Sequence, residues 1–125
     1  VDETGHPHTA VMDMMWEDGK TVYFLTADFK PLYKRLKEDG RVAVTGMTQG
    51  AGTMDRKSIS LTGQVEWIGK EHLEELLKAN PYMYEIYPTE EGRSHLQVFR
   101  FKNSVGNFYD LTQLPPYQAR FEIEG

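Results

Sequence analysis

The segment after residue 25 is the best candidate for an anion site, because it is basic in an acidic chain. Residues 28–41 hold five Lys or Arg against three Asp or Glu, whereas the whole chain of 125 residues has a formal charge of −5. Lys30 and Lys34 are spaced one helical turn apart, and Thr26 adds a hydroxyl just before them. The N–H groups and macrodipole of a helix N-terminus attract anions, so the segment favours a phosphate site. A solvated basic helix face is the alternative.

A row of small hydroxyls is the second feature. Ser58, Ser60 and Thr62 alternate with apolar residues and therefore share one face of a strand. Uncharged donors of this kind suit a polar ligand or a hydrated subunit interface, and an ordinary solvent-exposed face is the alternative. Asp13 interrupts a Met-rich run and is either solvent-facing or the one inward carboxylate candidate. These features assign no catalytic residue.

Several other chemistries lack support. Residues 50–55 begin like a dinucleotide-binding loop, but the third glycine is missing and no helix follows, so we predict a hairpin loop. His6 and His8 would share a strand face without an obvious third ligand, and we predict no metal site. The chain has no Cys, which excludes disulfides, thiolate metal sites and Cys nucleophiles.

Length and composition narrow the class of protein. A chain of 125 residues predicts a single domain over residues 1–125. Its negative charge argues against nucleic-acid binding, which needs clustered positive charge. No apolar run approaches 18 residues, so no membrane span is predicted. With no signal peptide visible, we expect a cytoplasmic location.

Hydrophobic periodicity and turn residues divide the chain into short elements. Asp18-Gly19 between two β-rich runs predicts a hairpin. Asp28 suits an N-cap, Pro31 a first helical turn and Gly40 the residue after a helix. We predict helices at 29–39 and 71–80, and strands at about 7–16, 20–27, 41–47, 58–68, 96–102, 105–111 and 118–123.

Strands outnumber helices in this prediction, and neighbouring strands pair as hairpins. The second hairpin turns at Asn103-Ser104, residues 46–57 form a loop, and residues 82–94 form an aromatic, acidic connector. The strand at 20–27 lacks alternation, so both of its faces should be covered. The pattern predicts a mainly β fold, a small antiparallel barrel with helices at its rim.

The order of these pieces resembles the pyridoxamine 5′-phosphate oxidase-like family, the FMN-binding split β-barrels. Within that family it is most similar to the branch of general stress proteins and uncharacterised oxidase-like proteins. The ordered set of matches over nearly the whole chain carries the likeness, since no single motif is specific. The matching stretches are residues 4–12, 17–26, 30–44, 58–66, 87–88 and 108–111. The family's first strand is largely missing from residues 1–125.

The resemblance implies a six-stranded split β-barrel that forms a homodimer, with FMN at each end of the interface. Three groups of residues would contact the FMN. The implied phosphate ligands are Thr26, Lys30 and Lys34. The residues whose backbone would follow the flavin ring are Ala10, Val11, Met12 and Asp13. The strand that would contact the flavin from the partner subunit carries Ser58 and Ser60.

The resemblance implies an FMN-binding flavoprotein, a flavin-dependent oxidoreductase whose substrate the sequence does not identify. Ala10 stands where the oxidases carry an arginine, and residues 30–32 read Lys-Pro-Leu where the oxidases carry Ser-Arg-Lys. We therefore expect no true pyridoxamine 5′-phosphate oxidase activity. The alternatives are a non-enzymatic binder or sensor that uses the same cleft, for instance for haem or a deazaflavin, and a barrel that has lost its ligand.

Overall fold

A computed structural model describes residues 1–12, 16–47 and 57–124. In these parts of the chain, six strands form one antiparallel sheet and four short helices pack around it. The strands are β1 (Trp16–Glu17), β2 (Val22–Ala27), β3 (Arg41–Met47), β4 (Lys57–Gly69), β5 (Leu96–Asp110) and β6 (Tyr117–Ile123). The helices are α1 (Pro31–Glu38), α2 (Leu73–Ala79), α3 (Met83–Ile86) and α4 (Glu90–Arg93). The mainly β, antiparallel fold class predicted from the sequence is confirmed, as are both predicted helices.

The long strand β5 organises the sheet. One edge of β5 pairs with β4, from Lys57↔Asp110 to Gly69↔Val98. Its other edge changes partner, because residues 96–100 pair with β2 and residues 104–110 pair with β6. The sheet therefore divides into two halves that share β4 and β5, with β3 and β1 at its two ends. This arrangement agrees with a split barrel.

The predicted hairpin at Asn103-Ser104 is wrong, because β5 runs continuously through both residues. Thr62 pairs with Val105 and Gln64 pairs with Lys102, so Gly63 lies opposite two residues in a β-bulge. Asn103 has a φ of 48°, a left-handed conformation that Asn adopts more readily than most residues. The local turn signal thus marks a bend within one strand, at the point where β5 changes partners.

The predicted hairpin at Asp18-Gly19 is confirmed by the pairing of β1 with β2. Gly19 takes a φ of 85°, and the Asp18 carboxylate accepts hydrogen bonds from the N–H groups of Lys20 and Thr21. The Tyr23 hydroxyl also donates to Asp18 Oδ2 over 2.6 Å, which lowers the pKa of Asp18 to about 2. Burial, reinforced by this bond, raises the pKa of Tyr23 to about 12. The hairpin is therefore anchored to the core by its own turn residue.

The predicted strand at 7–16 is wrong over residues 7–12, which form no strand. The residues just before this segment fold around the Asp2 carboxylate, which accepts hydrogen bonds from the Thr4 hydroxyl and the His6 N–H. These local bonds hold the pKa of Asp2 well below its ordinary range. Side-chain bonds of this kind compete with strand pairing, and residues 7–12 are mostly exposed.

Two hydrophobic cores lie on opposite faces of β2, as its lack of alternation predicts. Phe24 faces the barrel interior with Phe99, Phe101 and Leu36 of α1. Tyr23, Leu25 and Ala27 face the opposite core, which contains Leu76 and Leu77 of α2. Thus α1 packs on one face of β2 and α2 packs on the other. The packing of α1 on β2 fixes the start of α1 relative to the end of β2.

The connector at 82–94 contains two short helices, α3 and α4, which the sequence did not predict. Met83 of α3 is buried in the same core as α2, and this burial stabilises α3. Thr89 caps α4 by accepting a hydrogen bond from the Gly92 N–H over 3.0 Å. Both helices are only four residues long, which is too short for sequence periodicity to reveal.

Candidate functional site

A cavity of about 300 Å³ lies between residues 10–12, the end of β2 and the start of α1. It brings together five of the residues predicted to contact FMN. Its lining consists of Ala10, Val11, Met12, Leu25, Thr26, Lys30, Pro31, Leu32 and Arg35. Asp13, which was predicted to belong to the same group, lies outside the described residues.

Thr26 is the most informative residue of this cavity. Its relative exposure is only 5%, and within the described parts of the chain its hydroxyl has no hydrogen-bond partner. Buried polar groups are nearly always hydrogen-bonded, because leaving one unpaired costs about 1–3 kcal/mol. A buried and unpartnered hydroxyl on a cavity wall therefore suits a ligand that can accept a hydrogen bond.

The start of α1 is open towards the same cavity. Lys30 is the N-cap and makes no capping bond through its side chain, and Pro31 has no N–H to offer. The Tyr33 N–H donates to the Lys30 carbonyl over 3.1 Å. This leaves the Leu32 N–H as an unsatisfied donor of the first turn among the described residues, at the positive end of the helix dipole.

Asp28 was predicted to cap α1, and that prediction is wrong. Its carboxylate instead contacts Gln97 of β5 and His95 of the turn before β5. His95 Nδ1 lies 2.8 Å from Asp28 Oδ1, and Gln97 Nε2 lies 3.3 Å from Asp28 Oδ2. Residues far along the chain thus hold the carboxylate that would otherwise compete with an anion at the helix start.

Two basic residues reach the cavity from α1. Lys30 is exposed at its rim, and the half-buried Arg35 forms part of its wall. Sequence reasoning missed Arg35, although it lies four residues after Pro31 and thus on the same helical face. Lys34 is exposed and does not line the cavity.

Lys37 lies on the outer side of α1 and packs on aromatic rings. Its Nζ lies 4.4 Å from the centroid of the Trp67 ring and 5.2 Å from that of Tyr33. A cation over an aromatic face contributes to packing as well as to charge. Substitution of Lys37 would therefore disturb the packing of α1 on β4.

A second, larger cavity of about 920 Å³ adjoins the first and shares four of its residues, namely Ala10, Met12, Leu32 and Arg35. Its wall is mainly apolar, with Phe24, Val44 and Phe101 from the barrel interior. Arg41 also lines it, but the Arg41 guanidinium binds both oxygens of Asp39 and lowers the pKa of that carboxyl to about 2. Arg35 has no acidic partner within the described residues.

Ser58 and Ser60 lie near the start of β4 and line neither cavity. Cross-strand pairs place Ser60 beside Thr45 of β3 and Asn107 of β5, and side chains directly opposite one another share a face. This outer face is exposed on β3 and β6 and half-buried around Ser60, and it carries polar and charged side chains together with Met47 and Tyr109. A single chain therefore does not bring Ser58 and Ser60 to the cavity at α1.

Comparison with known proteins identifies the family. The family model described as pyridoxamine 5′-phosphate oxidase matches residues 1–109. The chain belongs to this family. The match covers the cavity, the start of α1 and most of β5, so the resemblance read from the sequence is confirmed. A search of curated proteins finds no match to this chain.

Several solved structures share the fold of this chain. A NimC/NimA family protein from Clostridium acetobutylicum is 20% identical over 97% of this chain and 78% of its own, with a TM-score of 0.76. A C. acetobutylicum protein related to general stress protein 26 of B. subtilis, described as of the pyridoxinephosphate oxidase family, is 19% identical over 98% of this chain and 80% of its own, with a TM-score of 0.66. A haem-binding protein from Mycobacterium smegmatis is 13% identical over 98% of this chain and 50% of its own, with a TM-score of 0.71. At these identities the likeness concerns the fold.

The described residues were also compared with what a metal site and a membrane span require. Across residues 1–12, 16–47 and 57–124, no three His, Asp or Glu side chains come together as a metal site. No helix in those segments is long and apolar enough to cross a membrane.

Proposed function

We propose that this protein is an FMN-binding flavoprotein, a single-domain homodimer that passes electrons between a reduced donor and a small acceptor. The observation that carries the proposal is the buried Thr26 hydroxyl, which lines the cavity at the start of α1 without a partner in the described chain. Phosphate oxygens accept hydrogen bonds, so the residues present fit a phosphate group. When bound, the flavin supplies the electron-transfer chemistry.

The chain's own groups would bind and orient the cofactor. Thr26 and the Leu32 N–H would donate to the phosphate, and Lys30 and Arg35 would balance its charge. Lys34 would contribute at longer range, from the outer side of α1. The backbone of residues 10–13 would support the flavin ring. With Ala10 in place of an arginine, the site lacks a group that pyridoxamine 5′-phosphate oxidases carry, and we propose a different substrate.

A second subunit would complete the site. The cavity at the start of α1 has a volume of about 300 Å³, at the lower limit for a ligand pocket, and by itself would enclose only part of a flavin. The exposed outer face of β3 to β6 would form the interface, and the partner subunit's Ser58 and Ser60 would contact the cofactor. The apolar run 22–25 is no argument for a dimer, because both faces of β2 are buried within one chain.

We expect a homodimer in solution, with more than roughly 2,000 Å² buried in the interface. Light scattering at micromolar concentration should give twice the mass of 14.4 kDa. Ser60→Arg would place a charge in the centre of the proposed interface and should shift the mass towards the monomer. Lys20→Glu, in the exposed β1–β2 turn, should leave it unchanged. A monomeric parent would exclude the proposed interface.

The visible spectrum of the purified protein and a flavin titration test the function most directly. We expect flavin absorption bands, and FMN should bind at least roughly tenfold more tightly than riboflavin because only FMN carries the phosphate. Isothermal titration with both flavins measures the ratio. Equal affinities would mean that the start of α1 does not recognise a phosphate, and a spectrum without bands that stays unchanged on FMN addition would indicate a barrel without a flavin.

Lys30→Ala should weaken FMN by roughly 10- to 150-fold and leave riboflavin unaffected, because Lys30 is proposed to bind the phosphate. Lys20→Ala is the matched control, since it removes the same charge from an exposed turn remote from α1. Fluorescence titration of both variants measures the effect. If Lys30→Ala binds FMN as well as the parent, Lys30 is a solvated helix charge.

A haem-type ligand is the second candidate, and the larger cavity favours it. That cavity is mainly apolar, and His8 lies at its edge with Nε2 2.9 Å from Asp2 Oδ2. A histidine held by a carboxylate is a common arrangement among metal ligands. The related haem-binding protein from M. smegmatis supports the same reading. A Soret band in the purified protein, lost in His8→Ala, would favour haem over FMN.

A further inference from the structure

A chain of hydrogen bonds runs from β4 to the segment just before α1. Trp67 Nε1 donates to Gln97 Oε1 over 2.9 Å, and Gln97 Nε2 donates to Asp28 Oδ2 over 3.3 Å. His95 Nδ1 donates to Asp28 Oδ1 over 2.8 Å, because an ionised carboxylate can only accept. Both oxygens of Asp28 are therefore held by residues of another part of the chain.

This chain of bonds lies beside the proposed phosphate ligands. Gln97 pairs directly with Thr26 in the β2–β5 register, and both side chains are buried. Asp28 lies two residues after Thr26 and two residues before Lys30. If it were released, the positive end of α1 would attract its carboxylate. A carboxylate in that position would repel a phosphate.

The turn that carries His95 is itself anchored. Lys70 Nζ donates to the carbonyl oxygens of Ser94 and Leu96, on either side of His95. Burial lowers the pKa of Lys70, and the negative charge of Asp28 opposes this shift. His95 is thus held on a fixed backbone, and its side chain is not required for the core because it is about half exposed.

We propose that His95 and Gln97 are positioning residues that hold Asp28 away from the start of α1 and so keep that helix end open for phosphate. The proposal rests on the proposed FMN function. It also explains why a residue type that usually caps helices can precede an anion site without blocking it.

The test is a double-mutant cycle on FMN affinity. His95→Phe should weaken FMN by about 3- to 10-fold through the released charge, with riboflavin unchanged. Gln97→Leu should act in the same direction. Combining His95→Phe with Asp28→Asn should restore parental affinity, whereas combining it with Asp39→Asn, at the other end of α1, should not. Unchanged FMN binding by His95→Phe, or a loss that Asp28→Asn does not rescue, overturns the positioning role.

A second readout needs no flavin. Nitrogen NMR of the free parent should find neutral His95 protonated at Nδ1, and His95 should lose this preference in Asp28→Ala. Protonation at Nε2 in the parent would overturn the proposal whether or not FMN binds. If the parent binds no FMN at all, the proposed function fails, and the NMR result still reports whether Asp28 is held.

Discussion

Replacing Thr26 by valine should weaken FMN by roughly 10- to 150-fold and leave the free protein at least as stable as the parent. Valine keeps the shape of threonine and removes only the hydroxyl. In the free protein that hydroxyl is buried and has no partner in the described chain, so its loss removes a desolvation cost. In the complex it would donate to a charged phosphate, and such a bond contributes about 1.5–3 kcal/mol.

The opposite signs of these two effects separate a ligand-binding residue from a structural one. Thr21→Val is the matched control, because the Thr21 hydroxyl donates to the Phe101 carbonyl over 2.6 Å. That substitution should lower the free energy of unfolding by about 1–3 kcal/mol and leave FMN affinity unchanged. Urea unfolding and isothermal titration measure the two quantities. A loss of stability in Thr26→Val, or equal weakening of FMN and riboflavin, would assign Thr26 to the fold alone.

Local sequence signals were sufficient for much of the fold. Asp18-Gly19 predicted its hairpin because turn geometry depends on those two residues alone. The helical spacing of apolar residues predicted α1, and alternation predicted β4. In each case the residues that decide the structure are neighbours in the chain.

Long-range pairing explains where the sequence misled. Asn103-Ser104 has the composition of a turn, yet β5 continues because its two halves pair with β2 and β6, and β4 binds both. Residues 7–12 have the composition of a strand but lie unpaired, and Asp2 bonds the residues before them. The pairing of a strand depends on the whole sheet, and the hydrophobic periodicity of the strand does not reveal its partner.

In the candidate site, too, local features could be predicted from the sequence and long-range contacts could not. Thr26 and Lys30 were predicted because a hydroxyl and a lysine beside a helix start are visible in the sequence. The fate of Asp28 was not, because His95, which holds it, lies 67 residues along the chain. Local preference makes Asp28 a cap, and the tertiary structure makes it a hydrogen-bond partner of β5. The sequence alone therefore predicted a helix cap at Asp28 that the folded chain does not form.

The bulge in β5 predicts the largest effect on stability. A Cβ on Gly63 would lie 2.2 Å from Ser104 Oγ and 2.5 Å from Ser104 Cα. Rotation of a side chain cannot relieve the second clash, because it involves the backbone of a buried strand. Gly63→Ala should therefore lower the free energy of unfolding by at least about 2 kcal/mol, with bulge and barrel distorted together.

Gly46→Ala is the matched control for this bulge, because Gly46 lies on the neighbouring strand β3 and a Cβ there would meet only Ile59 Cγ2, at an ordinary 3.5 Å. That substitution should change the free energy of unfolding by no more than about 0.5 kcal/mol, or stabilise slightly by restricting the unfolded chain. Urea unfolding followed by circular dichroism measures both variants. Similar small effects would mean that Gly63 does not pack against Ser104, and that β5 does not pass from β2 to β6 through a bulge at this point. A large loss confined to Gly63→Ala would establish that the absence of one side chain, opposite Asn103 and Ser104, is what lets a single strand serve both halves of the barrel.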